Sequence, residues 1–284
     1  MFTRLISEHR VMRDAPTRRY PEVGQCIYCF KKPPEVVLTD EHIIADGLRG
    51  DLLLPKASCV DCAHITGRIE QLLMRRMLEQ PRGALGLRSR KKHARKLGMK
   101  MHVSREGGPE IEKEVPHDGM PPFFIAFVGD HPPGILTGAP PGTEWSGRVM
   151  IAMPADAQER GKAALGNSTL RFGFHVHAGV FSQAIAKAAY AYAVAELGMN
   201  QFDPFLANYC IADEPAFDSH HIAALMDISS DNALHHISLQ TAYARSFTAI
   251  GITTFPVFVV HVKLFTELST PRYVVVVGRP KAPQ

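Results

Sequence analysis

The chain has 284 residues, 45% of them hydrophobic and 21% charged, and contains no run of 18 apolar residues. That balance excludes wholesale disorder and a helical membrane protein, and the length is enough for two cored units. A net charge of +4 conceals an asymmetry: residues 1–105 hold 21 Lys+Arg against 11 Asp+Glu, and the remainder holds 11 against 17. The N-terminal third is the part that should seek a polyanion.

In chain order, residues 1–21 read as an N-terminal extension. Its opening, MFTRLISEHRVMRD, is too charged for a secretory signal, so the expected location is cytoplasmic. Residues 22–81 read as a compact module: a Cys-x-x-Cys turn, an apolar strand EVVLTDEHII, a turn around ADGLRGD, a second apolar run LLLP, and a helix. Ile65, Ile69, Leu72, Leu73 and Met77 recur at near-helical spacing, and Pro81 and Gly83 should end that helix. Residues 82–118 read as a basic linker or binding rim, since RGALGLRSRKKHARKLGMK carries eight Lys+Arg and no acid. Residues 119–284 read as a separate α+β domain of short apolar strands, with an Ala-rich helix in FSQAIAKAAYAYAVAELG. Gln183, Lys187 and Glu196 interrupt that helix and argue for a soluble one.

Four of the five cysteines form two identically spaced pairs, Cys26/Cys29 and Cys59/Cys62, separated by 29 residues. Two such knuckles can close a tetrahedron of thiolates around a structural Zn²⁺, a closed site with no exchangeable position. Disulfides or a thioredoxin-like redox pair are the alternatives. The first would need an oxidising compartment, and the second needs one pair rather than two. Cys210, alone in ANYCIAD, reads as a buried small hydrophobe.

The stretch CIYC … LTDEHIIADGLRGDLLLPKASCVDC resembles the HNH endonucleases, in the variant where four cysteines frame a ββα-metal finger. The resemblance covers residues 26 to about 75. It implies an α+β protein with an N-terminal zinc-stapled finger, hydrolysing phosphodiester bonds in DNA. Double-stranded DNA is the expected partner, RNA an alternative, and no membrane is involved. It further implies His42 as general base, a role that suits an imidazole at neutral pH, and Glu41 as ligand to a catalytic Mg²⁺ or Mn²⁺. Two positions depart from the family pattern. Asp51 stands near where the family places an Asn, and the final ligand falls on Ala63 by strict counting, with His64 one residue further round the helix. Adjacent strand residues face opposite sides, so Glu41 and His42 share one site only where the strand bends. The alternative function is a catalytically degenerate, zinc-stapled nucleic-acid-binding protein.

Arg88, Arg90, Lys91, Lys92, Arg95 and Lys96 are the expected phosphate contacts, with Arg75 and Arg76 extending the same face. In the C-terminal part, His175 and His177 of FHVH, His220 and His221, and His235 and His236 raise a second metal site against a reading as ordinary strand and loop histidines. A target-recognition or assembly role is the expectation for that part.

Overall fold

The computed structural model describes residues 2–87, 98–104, 108–142, 146–166, 168–171, 173, 177–227, 229, 231–248 and 251–282. The first part runs through β1 (Phe2–Val11), β2 (Arg18–Arg19), β3 (Leu38–His42), β4 (Leu52–Cys59), α1 (Val60–Arg76) and α2 (Glu79–Ala84). There follow β5 (Gly98–Ser104), β6 (Ile111–Pro116), β7 (Phe124–Gly129), α3 (Gly134–Thr137), β8 (Gly147–Ala152), α4 (Ala157–Leu165) and β9 (Thr169–Arg171). The chain closes with α5 (Ala178–Leu197), β10 (Phe202–Pro204), β11 (Ile222–Leu225), β12 (His235–Thr248), β13 (Gly251–Leu264) and β14 (Arg272–Pro280).

The fold is α+β with a strand–strand–helix unit near the N-terminus. In that unit β3 pairs antiparallel with β4, β2 pairs parallel with β4, and α1 follows β4 directly. The pairing of β3 with β4 is irregular between Thr39 and Glu41. Opposite that irregularity lie Pro55, which has no N–H to give, and Lys56, whose backbone is left-handed at φ 50°. The Asp40 carboxylate accepts the free Lys56 N–H at 3.3 Å.

The largest sheet has six strands, β1, β12, β13, β14 and β10 in order, with β11 also paired to β14. The β-branched runs VFVVHV and YVVVV lie in its central strands. Against one face lies α5, whose residues from Phe181 to Val194 are buried except for the half-buried Ala184. A helix apolar on every side belongs inside a core, and the Ala/Tyr run is packing surface for this one.

Two expectations are corrected here. Residues 1–21 are not a free extension, because β1 is the edge strand of the C-terminal sheet, pairing with β12 from Phe2↔Ala242 to Val11↔His235. The C-terminal part is likewise not separate from the finger. One hydrophobic cluster runs from Val11, Ile27, Tyr28, Ile43 and Leu54 through Tyr190 and Val194 to Val262 and Val277. The physical reason is that a ββα unit of this size has too little apolar interior of its own, and α5 supplies the rest. Tyr28 and Tyr190 sit with ring centroids 6.1 Å apart, and the Tyr190 hydroxyl donates to the Ile27 carbonyl at 2.5 Å.

Smaller differences follow from the backbone. The expected strand 35–44 is regular only over Leu38–His42, and α1 ends at Arg76 while Pro81 and Gly83 lie inside the short α2. The expected linker contains β5 and β6, which pair antiparallel with each other. No helix of the described residues is long and apolar enough to cross a membrane.

Candidate metal centre and the acid-histidine strand end

The first knuckle, Cys26 to Lys31, is closed by backbone bonds from Phe30 N–H to Cys26 O and from Cys26 N–H to Lys31 O, both 2.9 Å. Phe30 takes a left-handed φ of 63° to make that turn. The Ile27 N–H donates to Ala57 O at 2.8 Å and so ties the knuckle to β4. The second knuckle is the junction itself, with Cys59 ending β4 and capping α1 and Cys62 in the first turn of the helix.

The four sulfurs lie within 4.8 Å of one another, and the Cys29 and Cys59 sulfurs are 3.7 Å apart. A tetrahedral S₄ ion with bonds of about 2.3 Å has sulfur–sulfur edges of roughly 3.8 Å, so the donor set and its spacing fit. Burial pushes the Cys26 and Cys62 thiols up. Cys59 ends below its ordinary range: burial pushes it up too, but hydrogen bonds from the Cys62 backbone and from the neighbouring thiols outweigh it. Cys210 is fully buried and apart from the quartet.

Glu41 pairs with Leu54 across the hairpin and His42 with Leu53. The irregularity lies before this pair, so the pleat continues through it and sends the two side chains to opposite faces. Glu41 turns towards the helices and is 6% exposed. There its Oε1 meets the ammonium of Lys187 from α5 at 2.6 Å, and the same ammonium lies 2.7 Å from Glu70 Oε1 of α1. Its third bond is donated to the main-chain carbonyl of His42. Lys187 is itself 3% exposed. Burial opposes its charge, but the Glu41 and Glu70 carboxylates together outweigh burial and hold it above the ordinary lysine range. Burial lifts the Glu41 carboxyl, Lys187 draws it back, and Glu70 pushes it up again. Two carboxylates thus share one enclosed cation.

The other expected site residues are placed elsewhere. Asp51 is buried, with its carboxylate on His9 of β1, at 2.9 and 3.1 Å from Nε2. His64 is exposed on α1, because the helix starts at Val60 and turns that position outward. His42 is half-buried at the end of β3. Among the described residues, the cysteine quartet is the only group of three or more His, Cys, Asp or Glu side chains close enough to hold an ion. For a catalytic Mg²⁺ or Mn²⁺ the residues therefore do not fit: Glu41, Asp51 and His64 do not converge, and a lysine already neutralises Glu41.

The six basic residues from Arg88 to Lys96 and His175 lie outside the described residues. His221 pairs with Asp218 at 2.8 Å and His235 is buried between Leu48 and Phe265. The sequence reading missed Lys187 as a partner, together with Glu70 and His9. A single lysine in the middle of the Ala-rich α5 is the signal that was there, since a buried ammonium requires a carboxylate. No family model, curated protein or solved structure matches the chain.

Proposed function

We propose that the protein is a zinc-stapled nucleic-acid-binding protein whose ββα unit does not take a catalytic divalent cation. The observation that carries this reading is Lys187, whose ammonium occupies the cation position at Glu41, 2.6 Å away, and is shared with Glu70. Cys26, Cys29, Cys59 and Cys62 would hold Zn²⁺, which supplies folding free energy and offers no open coordination position. Affinity for a polyanion is supported by the excess of 21 Lys+Arg over 11 Asp+Glu in residues 1–105 and by the acid-free run at 82–100. Each phosphate neutralised releases counterions, so binding should weaken steeply with salt.

A second reading, a metal-dependent HNH-type endonuclease, is favoured by the strand–strand–helix order and by the half-buried His42 at the end of β3. It requires Lys187 to leave Glu41 before a metal can bind there. One experiment separates the two. The purified protein, carrying about one zinc per chain, is incubated with plasmid DNA and Mg²⁺, Mn²⁺ or EDTA and read by mobility shift and by nicking. The expected result is a salt-sensitive shift with no nicking under any metal. Nicking that needs Mg²⁺ or Mn²⁺ and disappears in His42→Ala would overturn the first reading in favour of the second. Absence of both shift and nicking would overturn both.

A further inference from the structure

Three oxygens of the ββα unit converge on one point. Glu41 Oε1 lies 2.6 Å and Glu70 Oε1 2.7 Å from the Lys187 ammonium, and the main-chain carbonyl of His42 accepts its third bond. The oxygens come from two elements, the end of β3 and the middle of α1, and the ammonium reaches them from a third, α5. Two carboxylates and a carbonyl are also the donor set of a hard divalent cation. Their approach is close to that of a Ca²⁺ shell, whose oxygens lie at about 2.3–2.6 Å.

The charges in this cluster do not balance. Glu41 and Glu70 are the carboxylates that act on the ammonium, and Lys187 is the cation that acts on Glu41. With both carboxyls ionised, two negative charges face one positive charge, and a divalent ion in the ammonium's place would cancel the excess. Water screens little of it, because Lys187 is 3% and Glu41 6% exposed. Glu70 is the member that reaches solvent, with 22% of its side chain exposed. Beside Lys187 and Glu70 lies a void of about 30 Å³, lined also by Ile44, Met74 and Ala184. It has room for a water molecule of the kind that completes a cation's shell.

We propose that Lys187 stands in for a divalent cation in an oxygen cage made by Glu41, Glu70 and the His42 carbonyl, and that the cage takes up Ca²⁺ once the ammonium is withdrawn. The inference rests on the reading of the ββα unit as one without a catalytic cation, and it gives that reading a physical cause. A tethered ammonium competes as an intramolecular ligand, and in the wild-type fold it leaves no room for an ion. Ca²⁺ is the ion selected, because its shell is flexible, whereas Mg²⁺ demands an octahedron at about 2.0–2.1 Å. As a hard cation it also leaves the cysteine thiolates to zinc.

Calorimetric titration with Ca²⁺ of the zinc-loaded wild-type protein, of Lys187→Ala and of the double variant Lys187→Ala/Glu70→Gln tests the proposal. Alanine keeps α5 helical and empties the ammonium's place. Lys187→Ala should bind Ca²⁺ saturably, and its melting midpoint should rise by about 5 °C at about a hundredfold excess over the dissociation constant. The wild-type protein should show neither effect. Adding Glu70→Gln should weaken Ca²⁺ by about tenfold or more, since a carboxylate leaves the shell. Should Lys187→Ala not fold alone, circular dichroism should show Ca²⁺ folding it. Nicking by the wild-type protein with Mg²⁺ or Mn²⁺ bears on the reading of the ββα unit alone, whereas Ca²⁺ binding by Lys187→Ala bears on the cage. No saturable Ca²⁺ binding by Lys187→Ala overturns the proposal, as does a variant that stays unfolded in Ca²⁺. So does wild-type protein that binds as tightly as the variant, or undiminished affinity in the double variant.

Discussion

Lys187 is the residue on which the ββα unit turns. Its ammonium sits between Glu41 and Glu70 with almost no access to water, where an ion pair holds only because every partner is in place. Lys187→Met removes the cation and leaves two carboxylates facing each other across the interface. The expected loss is about 3–5 kcal/mol near neutral pH, measured by urea denaturation, because an uncompensated buried charge is far costlier than a missing contact. Burial already raises the Glu41 carboxyl, and without Lys187 it rises further. Protonation then relieves the variant, so the loss should shrink as pH falls from 7 towards 5. A loss independent of pH would mean that Lys187 acts by packing alone. The cysteines contrast with this residue, since they were legible from spacing and needed only the backbone knuckles to bring them together. For Glu41 the residue type was legible but its partner was not, because nothing local to residue 41 refers to residue 187.

At the scale of elements, the turn between β3 and β4 is held by the large sheet as well as by its own hairpin. His235, the first residue of β12, donates from Nε2 to the Leu48 carbonyl at 2.7 Å and accepts the Phe265 N–H on Nδ1 at 3.1 Å. The second bond requires an unprotonated Nδ1, and burial, outweighing the Leu48 bond that favours the charged ring, holds the pKa down to about 4. The unfolded histidine titrates near 6.5, so the folded value is depressed and the unfolded state takes up the proton first. This contribution to stability is complete above about pH 6.5 and is lost as pH falls towards 4, at a cost of about 2 kcal/mol between pH 7 and pH 5. His235→Asn should lower stability at pH 7 and flatten its fall towards pH 5, as read from denaturation midpoints at several pH values. An unchanged slope would refute the assignment. Strand β1 acts in the same sense from the other end, because His9 reaches Asp51 and couples the edge of the C-terminal sheet to the finger.

At the scale of the whole molecule, the finger and the six-stranded sheet are two sides of one core with α5 between them. A fragment of residues 22–81 would expose Ile27, Tyr28, Ile43 and Leu54 and leave Glu41 without Lys187. That fragment, supplied with Zn²⁺, should bind the metal through its four thiols yet lack dispersed NMR signals or a cooperative melt. A well-folded, monomeric fragment would show that the ββα unit is autonomous and that α5 merely rests against it. The same arrangement explains why two domains were expected. The basic stretch and the change of texture near residue 120 mark a change of local structure, whereas β1 crosses that division by pairing with β12, a partnership between segments more than 220 residues apart.

The sequence by itself determined the cysteine quartet, the strand–strand–helix order after Cys29, the buried Ala-rich helix and the basic excess of the first third. Each is written in spacing, periodicity or composition within a few tens of residues. Tertiary structure alone decided that Glu41 meets a lysine, that Asp51 meets His9 and that His64 faces solvent. Those outcomes depend on which surfaces meet once the apolar faces of α1, α5 and the sheet are buried together. Hydrophobic burial is non-directional and leaves no local mark on the charged residues it brings into contact.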